Sequence, residues 1–397
     1  MATILLTLGR LPKALDLARG FALAGHRVVV AEPFGRHLAG ASRHVARRIT
    51  VPPPVNGAGP YLDALAEAAR REGADLVVPV SEEVLHVAAL RPRLPPATRL
   101  LAMPPALILA VHHKGAFVEA ASAMGLPVPD TAALGSEAAA ALAEAGDVVV
   151  KPAHSCAGQG VRVIRRGEAL PRETSAHIVQ RFLPGAEFST CSLAREGEVL
   201  GTTVYRGIRF SGSVAIAFER VDHPAIEAWV TRFARETRWS GFLSFDFRED
   251  ARGLAHAIEC NPRTTSGLHF FRAEDIAPAI LDGRKLRHRD ERELQQFYSM
   301  LTEAQNGMFR RGFFARLREC GARPDVTWNR ADPLPFLTMT WTAWPIIRAA
   351  MRHRATFGEV AMRDLAWNGA APEAGSPEAP GNLERQHHLD RGVREAI

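Results

Sequence analysis

Long apolar runs are missing from this chain. The most apolar later stretch, Leu334 to Met351, is interrupted by Thr338, Thr340, Thr342, Pro345 and Arg348, so it reads as a buried or lid-forming segment and not as a membrane span. The first run, Ala2 to Leu8, is short and leads into Gly9, Arg10 and Lys13, which is no signal-peptide pattern. Cysteine is scarce: Cys156, Cys191, Cys260 and Cys320 stand far apart without a Cys-x-x-Cys pair. That spacing excludes a disulfide framework and a zinc cluster and fits a reducing cytoplasm. Aromatic residues make up only 7%, and the arginines behind the net charge of +6 are scattered through amphipathic segments without a Lys/Arg run. A nucleic-acid groove is therefore not expected, and anionic small molecules are the better use of the charge. Also absent is Gly-x-Gly-x-x-Gly: the turn after the first strand reads Thr7-Leu8-Gly9-Arg10-Leu11-Pro12. An NAD site is excluded on that ground.

With 397 residues, 47% hydrophobic and 23% charged, the chain is long enough and apolar enough for two or three globular domains. At its start, strand (Ala2 to Leu8), helix (Lys13 to Ala24) and strand (Arg27 to Glu32) follow at the pitch of a βαβ unit. A helix over Asp63 to Glu72 and strands over Ala74 to Val80 and Arg99 to Ala102 extend it into an open parallel α/β sheet. Ser81-Glu82-Glu83 sits at the C-terminal end of a strand, where such sheets bind ligands; it reads equally as a capped helix start.

The stretch from Gly241 to Gly267 carries the densest chemistry. Leu243, Phe245 and Phe247 alternate with Ser244, Asp246 and Arg248, the period of a half-buried strand. A second strand follows the turn-forming Glu249 to Gly253. In it Leu254, His256, Ile258 and Cys260 are expected on one face and Ala255, Ala257, Glu259 and Asn261 on the other. Should Asp246 lie opposite Glu259 across a long or bulged turn, their carboxylates come within about 5 Å on one face, with Asn261 one step along. Two carboxylates and an amide are hard oxygen donors of the kind that hold Mg²⁺ together with phosphates.

Four other segments add polar groups. Lys114 opens a helix that Gly125 closes before Pro127 and Pro129. Asp147 to Pro152 is a strand ending in Lys151, and His154 to Gly160 is a small-residue loop able to offer backbone N–H groups to phosphate, or else a plain hairpin turn. Ile178 to Ser189 passes from a strand through Pro184-Gly185 to Glu187. Arg206 and Arg209 flank a later turn, and neither is preferred for holding a phosphoryl group.

Taken in order, these parts resemble the ATP-grasp superfamily, its carboxylate–amine ligases in particular, over residues 1 to 281. The resemblance implies an ATP-grasp fold, α/β and α+β, behind an N-terminal open parallel α/β domain. It assigns Lys114, Lys151, Ser155, Gly158 and Gly160 to the phosphates of ATP, Gln180, Arg181 and Phe182 to adenine, and Glu187 to the ribose. Asp246, Glu259 and Asn261 would hold Mg²⁺, or Mn²⁺ in its place. Arg263, with the Thr264 to Gly267 turn, would grip a carboxylate, and Arg206 with Lys151 would serve the transferring phosphoryl group. Two positions depart from the family pattern: His113 replaces a usual Asp, and Gln180 a frequent Glu. For His112 and His113 a surface role is expected.

The activity implied is ATP-dependent joining of a small carboxylate to an amine, such as an amino acid, through an acyl phosphate. A thiol or other acceptor, or nucleotide binding without catalysis, stays open beside it. No nucleic-acid or membrane partner is expected. The implied division is an α/β domain over 1–103, the ATP-grasp domain over 104–281, a helical extension over 282–370 with its tryptophans in the core, and a disordered tail over 371–397.

Overall fold

Strands that are apolar on both faces must be covered on both faces, and the start of the chain meets that demand with helices. The computed structural model describes residues 1–154, 160–172, 176–212, 214–306, 318–353, 357–365 and 367. In it β1 (Thr3–Leu6), β2 (Arg27–Glu32), β3 (Arg47–Thr50), β4 (Leu76–Val78) and β5 (Arg99–Leu100) form a parallel sheet in the order β3-β2-β1-β4-β5. Ile4, Leu6 and Val30 pack with Leu15 and Phe21 of the helix Pro12–Leu23, while Leu5, Val29 and Val77 pack with Tyr61 and Leu65 of the helix Ala58–Glu72. Strand order reverses between β1 and β4, so the turns that follow those two strands border one crevice. β3 has no counterpart in the sequence reading. Its Arg47-Arg48-Ile49-Thr50 is largely exposed, as a charged edge strand is.

A small antiparallel sheet comes next: β6 (Thr131–Ala133), β7 (Val148–Pro152), β8 (Arg162–Ile164) and β9 (His177–Arg181), in the order β6-β9-β7-β8. A larger sheet follows, built from β10 (Glu187–Arg195), β11 (Glu198–Ser211), β12 (Val214–Val221), β13 (Gly241–Glu249), β14 (Ala255–Asn261) and β15 (Glu293–Gln295), in the order β14-β13-β10-β11-β12-β15. One face of it is set by an aromatic core. Phe245 and Phe247 of β13 pack with Phe117, Trp229 and Phe233 from the helices Lys114–Ala123 and Pro224–Glu236, and Trp229 Nε1 donates to the Pro127 carbonyl at 3.0 Å. Strand alternation then sends Ser244, Asp246 and Arg248 to the opposite face.

The C-terminal part departs from expectation in two places. Glu293–Gln295 is a strand on β12 inside the stretch expected to be a helical extension; the helix begins only at Phe297. Leu294 is fully buried against Phe218 between an exposed Glu293 and a paired Gln295, which is alternation over too few residues to register. Helices Leu334–Leu337, Met339–His353 and Phe357–Arg363 follow, but Trp328, Trp341 and Trp344 are exposed rather than in the core. The tail expected over 371–397 and residues 307–317 of the extension lie outside the described residues. The chain's far end returns to its beginning. Arg10 is buried between Glu32 (Nε to Oε1, 2.8 Å) and Asp364 (Nη1 to Oδ1, 2.6 Å; Nη2 to Oδ2, 2.8 Å).

Candidate active site

Asp246 pairs directly with Glu259 and Ser244 with Asn261, so all three candidate metal-ligand positions share the face away from the aromatic core. The register shifts between Asp246 and Phe247: Phe247 pairs with Ala257, and Ile258 is the extra residue of a β-bulge. This corrects the expected faces of the second strand. Beyond the bulge Ala257 and Ala255 turn to the core with Cys260, while His256 joins the side of Glu259. The bulge also frees a carbonyl. Lys151 at the end of β7 donates from Nζ to the Ile258 oxygen at 3.1 Å, linking the small sheet to the large one beside the carboxylates.

Lys114 approaches Glu259 from the head of its helix, Nζ to Oε2 3.5 Å. His113 caps that helix, its Nδ1 accepting from the Ala116 N–H at 3.0 Å, which is the task an Asp would perform. His112 is buried, contrary to the expected surface position, and burial, only partly offset by Glu82, depresses it to about 4. Of the four lysines in the chain, Lys13, Lys114 and Lys151 are buried and only Lys285 is exposed. A chain that otherwise uses Arg for its surface charge keeps Lys for interior positions, and that bias was a usable signal.

The two carboxyls are driven apart in acidity. Burial and then the charge of Glu259 raise Asp246 well above the carboxylate range, and the two side chains are hydrogen bonded. For Glu259 burial acts upward too, but the ammonium groups of Lys114 and Lys151 outweigh it and hold the group ionised. Asp246 also accepts from Ser189 Oγ at 2.5 Å and from Asn261 Nδ2 at 3.0 Å. A partly protonated carboxyl pair in a buried polar niche fits a divalent cation, whose charge would replace the shared proton. Asn261 Oδ1 meanwhile accepts from Arg263 Nη2 at 3.2 Å, so its use as a ligand requires that bond to yield.

Along the same face, Glu187 pairs with Arg248 one step from the row Ser189–Asp246–Glu259. The ribose candidate and the metal candidates thus form a ladder across three strands. Gln180 is buried on β9 with Nε2 donating to Thr131 Oγ1 at 3.0 Å; Arg181 pairs with Asp130, and the Phe182 N–H donates to the Asp147 carbonyl. Gly160 has a φ of 73° and lies where a Cβ would meet Pro152 at 2.9 Å. Ser155 and Gly158 lie outside the described residues.

Arg263 leaves the hairpin toward the N-terminal sheet. It meets Glu82 (Nε to Oε1 2.7 Å, Nη2 to Oε1 2.6 Å), so the acid after β4 orients the candidate carboxylate-binding arginine. Its neighbour Glu83 accepts from the Val80 and Ser81 N–H groups and from Thr7, so the short helix after it has no side-chain cap, contrary to the capped start also read for this segment. Lys13 donates to the Thr264 carbonyl at 2.7 Å, and burial followed by the Arg263 charge lowers it to about 7. The hydroxyls of Thr264 and Thr265 bond the Val80 and Thr190 carbonyls, which leaves the N–H groups of this turn and the Ser266 hydroxyl for a ligand.

Arg206 is displaced from the role given it by sequence. Ser189 pairs with Tyr205 on β11, so Tyr205 shares the face of Asp246 and its neighbour Arg206 takes the other, bound to Glu219 at 2.7 Å. Arg209 is held by Glu319 through two bonds of 2.7 and 2.8 Å. On β12 the arginine on the site face is Arg220, paired with Tyr205, its Nε buried without a hydrogen-bond partner. Sequence reading missed Arg220, Ser189 and Tyr205. Alternation along Val214 to Val221 would have put Arg220 on the face opposite Glu219, but only a strand register connects it to Asp246.

Comparison with known proteins bears on the fold. Residues 111–267 match the ATP-grasp domain family. Among solved structures, N5-carboxyaminoimidazole synthetase from Staphylococcus aureus superposes with a TM-score of 0.56 at 14% identity, over 72% of this chain and 78% of that one. The biotin carboxylase domain of 2-oxoglutarate carboxylase from Hydrogenobacter thermophilus, in complex with MgADP and bicarbonate, gives 0.57 at 16% identity, over 72% and 71%. N5-carboxyaminoimidazole ribonucleotide synthetase from Thermotoga maritima gives 0.54 at 15%, over 72% and 78%. At such identities the likeness is one of fold. No curated protein sequence matches the chain.

Proposed function

We propose that this chain, whose residues 111–267 match the ATP-grasp domain family, is an ATP-grasp ligase that joins a small carboxylate to an amine through an acyl phosphate. One observation carries the reading: two buried lysines from separate elements converge on a carboxylate pair that sits between two antiparallel sheets. Lysines there would hold the triphosphate, with adenine against Gln180, Arg181 and Phe182 and ribose on Glu187. Asp246, Glu259 and Asn261 would hold Mg²⁺ or Mn²⁺, which supplies charge neutralisation to the phosphates. The domain division at about residues 103 and 281 belongs to the same reading.

A carboxylate has no leaving group, so an amine cannot displace its oxygen directly. In the first step the carboxylate oxygen, held by Arg263, attacks the γ-phosphorus, the bond to the β-phosphate oxygen breaks, and ADP leaves. In the second the amine attacks the acyl carbon, gives up its proton, and phosphate departs as the amide forms. Positive groups fixed beforehand stabilise the oxyanion between these events. Lys13 and Arg220 join the candidate residues, Arg220 for the transferring phosphoryl group in place of Arg206. Arg206→Gln is expected to keep turnover within about twofold, whereas Arg220→Gln lowers it by roughly one to two orders of magnitude; equal losses would restore Arg206.

Incubation with Mg-ATP, bicarbonate, an amino-acid pool and hydroxylamine tests the reaction class. ADP, phosphate and a hydroxamate are expected. AMP with pyrophosphate would rule the acyl-phosphate route out.

A further inference from the structure

Acidic residues are missing from two long stretches of this chain, between Glu32 and Asp63 and between Asp332 and Glu359, although Asp and Glu number 43 in all. The fold brings the two stretches together. Phe34 packs with Ile346, Val360 and Ala361, and the guanidinium of Arg36 lies 3.8 Å over the ring of Trp341. The acids that bound them on this side are neutralised inside the protein. Glu32 is buried on Arg10, and Asp332 is buried on Arg19 and Ser42.

The helix Met339–His353 turns Thr342, Ala343 and Ile346 inward. Trp341, Trp344 and Met351 recur at helical spacing on the other side, 59, 46 and 65% exposed, and Leu334 and Leu337 continue the stripe at 52 and 67%. Arg348 and Arg352 are exposed on that same side. Single exposed apolar residues are ordinary in proteins; a line of five with two indoles is not.

We propose that this face lays the protein on an anionic lipid surface, the indoles at the headgroup boundary and the arginines against lipid phosphates. This face has the ingredients of an interfacial helix: Trp, Leu and Met on the exposed side with Arg348 and Arg352 interspersed among them. The helix does not cross a bilayer, since no described helix is long and apolar enough. A second copy of the chain is a poorer occupant. Two-fold pairing would set Arg348 and Arg352 against their own copies with no acid among the described side chains of this helix face to separate them. Nucleic acid is poorer as well, because the centre of the patch offers apolar bulk where phosphates need donors.

Sedimentation of the full chain with vesicles of phosphatidylcholine alone, or with about one third phosphatidylglycerol, tests this. Binding is expected to the anionic vesicles only, and to weaken as salt is raised. Trp341→Ser with Trp344→Ser should reduce it more than about tenfold, and Arg348→Gln with Arg352→Gln roughly thirtyfold. Each pair is far from the carboxylates, so unchanged ATP turnover reports a folded protein. The proposal falls if the full chain stays in solution with anionic vesicles or if the Trp pair binds them as well as the parent. It falls equally if the patch instead mediates a concentration-dependent dimer, or retains duplex DNA while ignoring vesicles.

Discussion

Asp246→Asn and Glu259→Gln are each expected to lower ATP turnover by about three orders of magnitude or more; Asp246→Asn should also raise the stability of the nucleotide-free protein, whereas Glu259→Gln lowers it by leaving the buried Lys114 and Lys151 without their carboxylate. The first effect follows from losing an anionic oxygen that holds the cation against the phosphates. The second follows from the acidity of the pair. With its carboxyl raised to about 8, folded Asp246 keeps a proton that the unfolded chain loses near its ordinary value of about 4. Between those pH values the folded state binds more protons, so stability falls as pH rises. Asn carries no such penalty. Thermal melts of Asp246→Asn should therefore lie at or above the parent's at pH 8 without nucleotide, and Mg-ATP should no longer raise them. Near-normal turnover in both variants would sink the assignment; in Asp246→Asn a lower melt with no turnover would mark a folding defect instead.

Lys151→Met should cost roughly two to three orders of magnitude in kcat/KM for ATP. Its ammonium is buried, reaches the Ile258 carbonyl and stands beside Glu259, so phosphate oxygens entering the niche meet a charge that is already desolvated and fixed. Burial, partly offset by Glu259, lowers this lysine to about 8. The unfolded chain then binds more protons between about 8 and 10.5, and the stability cost of burying the charge is present at neutral pH and relieved as pH rises through that window. Met fills the same space uncharged. The melt at pH 7 should be unchanged or higher even as ATP-dependent ADP release collapses, and calorimetry should show weaker ATP binding. Full activity in Lys151→Met would remove the phosphate role from β7.

Much of this was legible in the sequence because it depends on local periods. The parallel sheet, the hairpin and the pairing of Asp246 with Glu259 follow from alternation and from turn residues. What escaped depends on register between distant strands. The Ile258 bulge inverts the faces of His256 and Ala257, and nothing in Leu254 to Asn261 announces it. Arg206 and Arg220 lie on opposite faces for the same reason, since a step of one residue along a strand changes the face. The tryptophans of the C-terminal helices misled through a preference for burial that holds on average and fails where a partner surface lies outside the chain.

The salt link of Arg10 to Asp364 also sets an order of events during synthesis. Arg10 and Glu32 leave the ribosome close together, whereas Asp364 is 354 residues behind Arg10. At about 5–20 residues per second that is an interval of roughly 20 to 70 s. Throughout it the nascent parallel sheet holds its arginine with a single carboxylate, and the crevice between β1 and β4 stays open on the side that the last helix will close. Translation of the final helices is thus the step that seals a domain begun at the first.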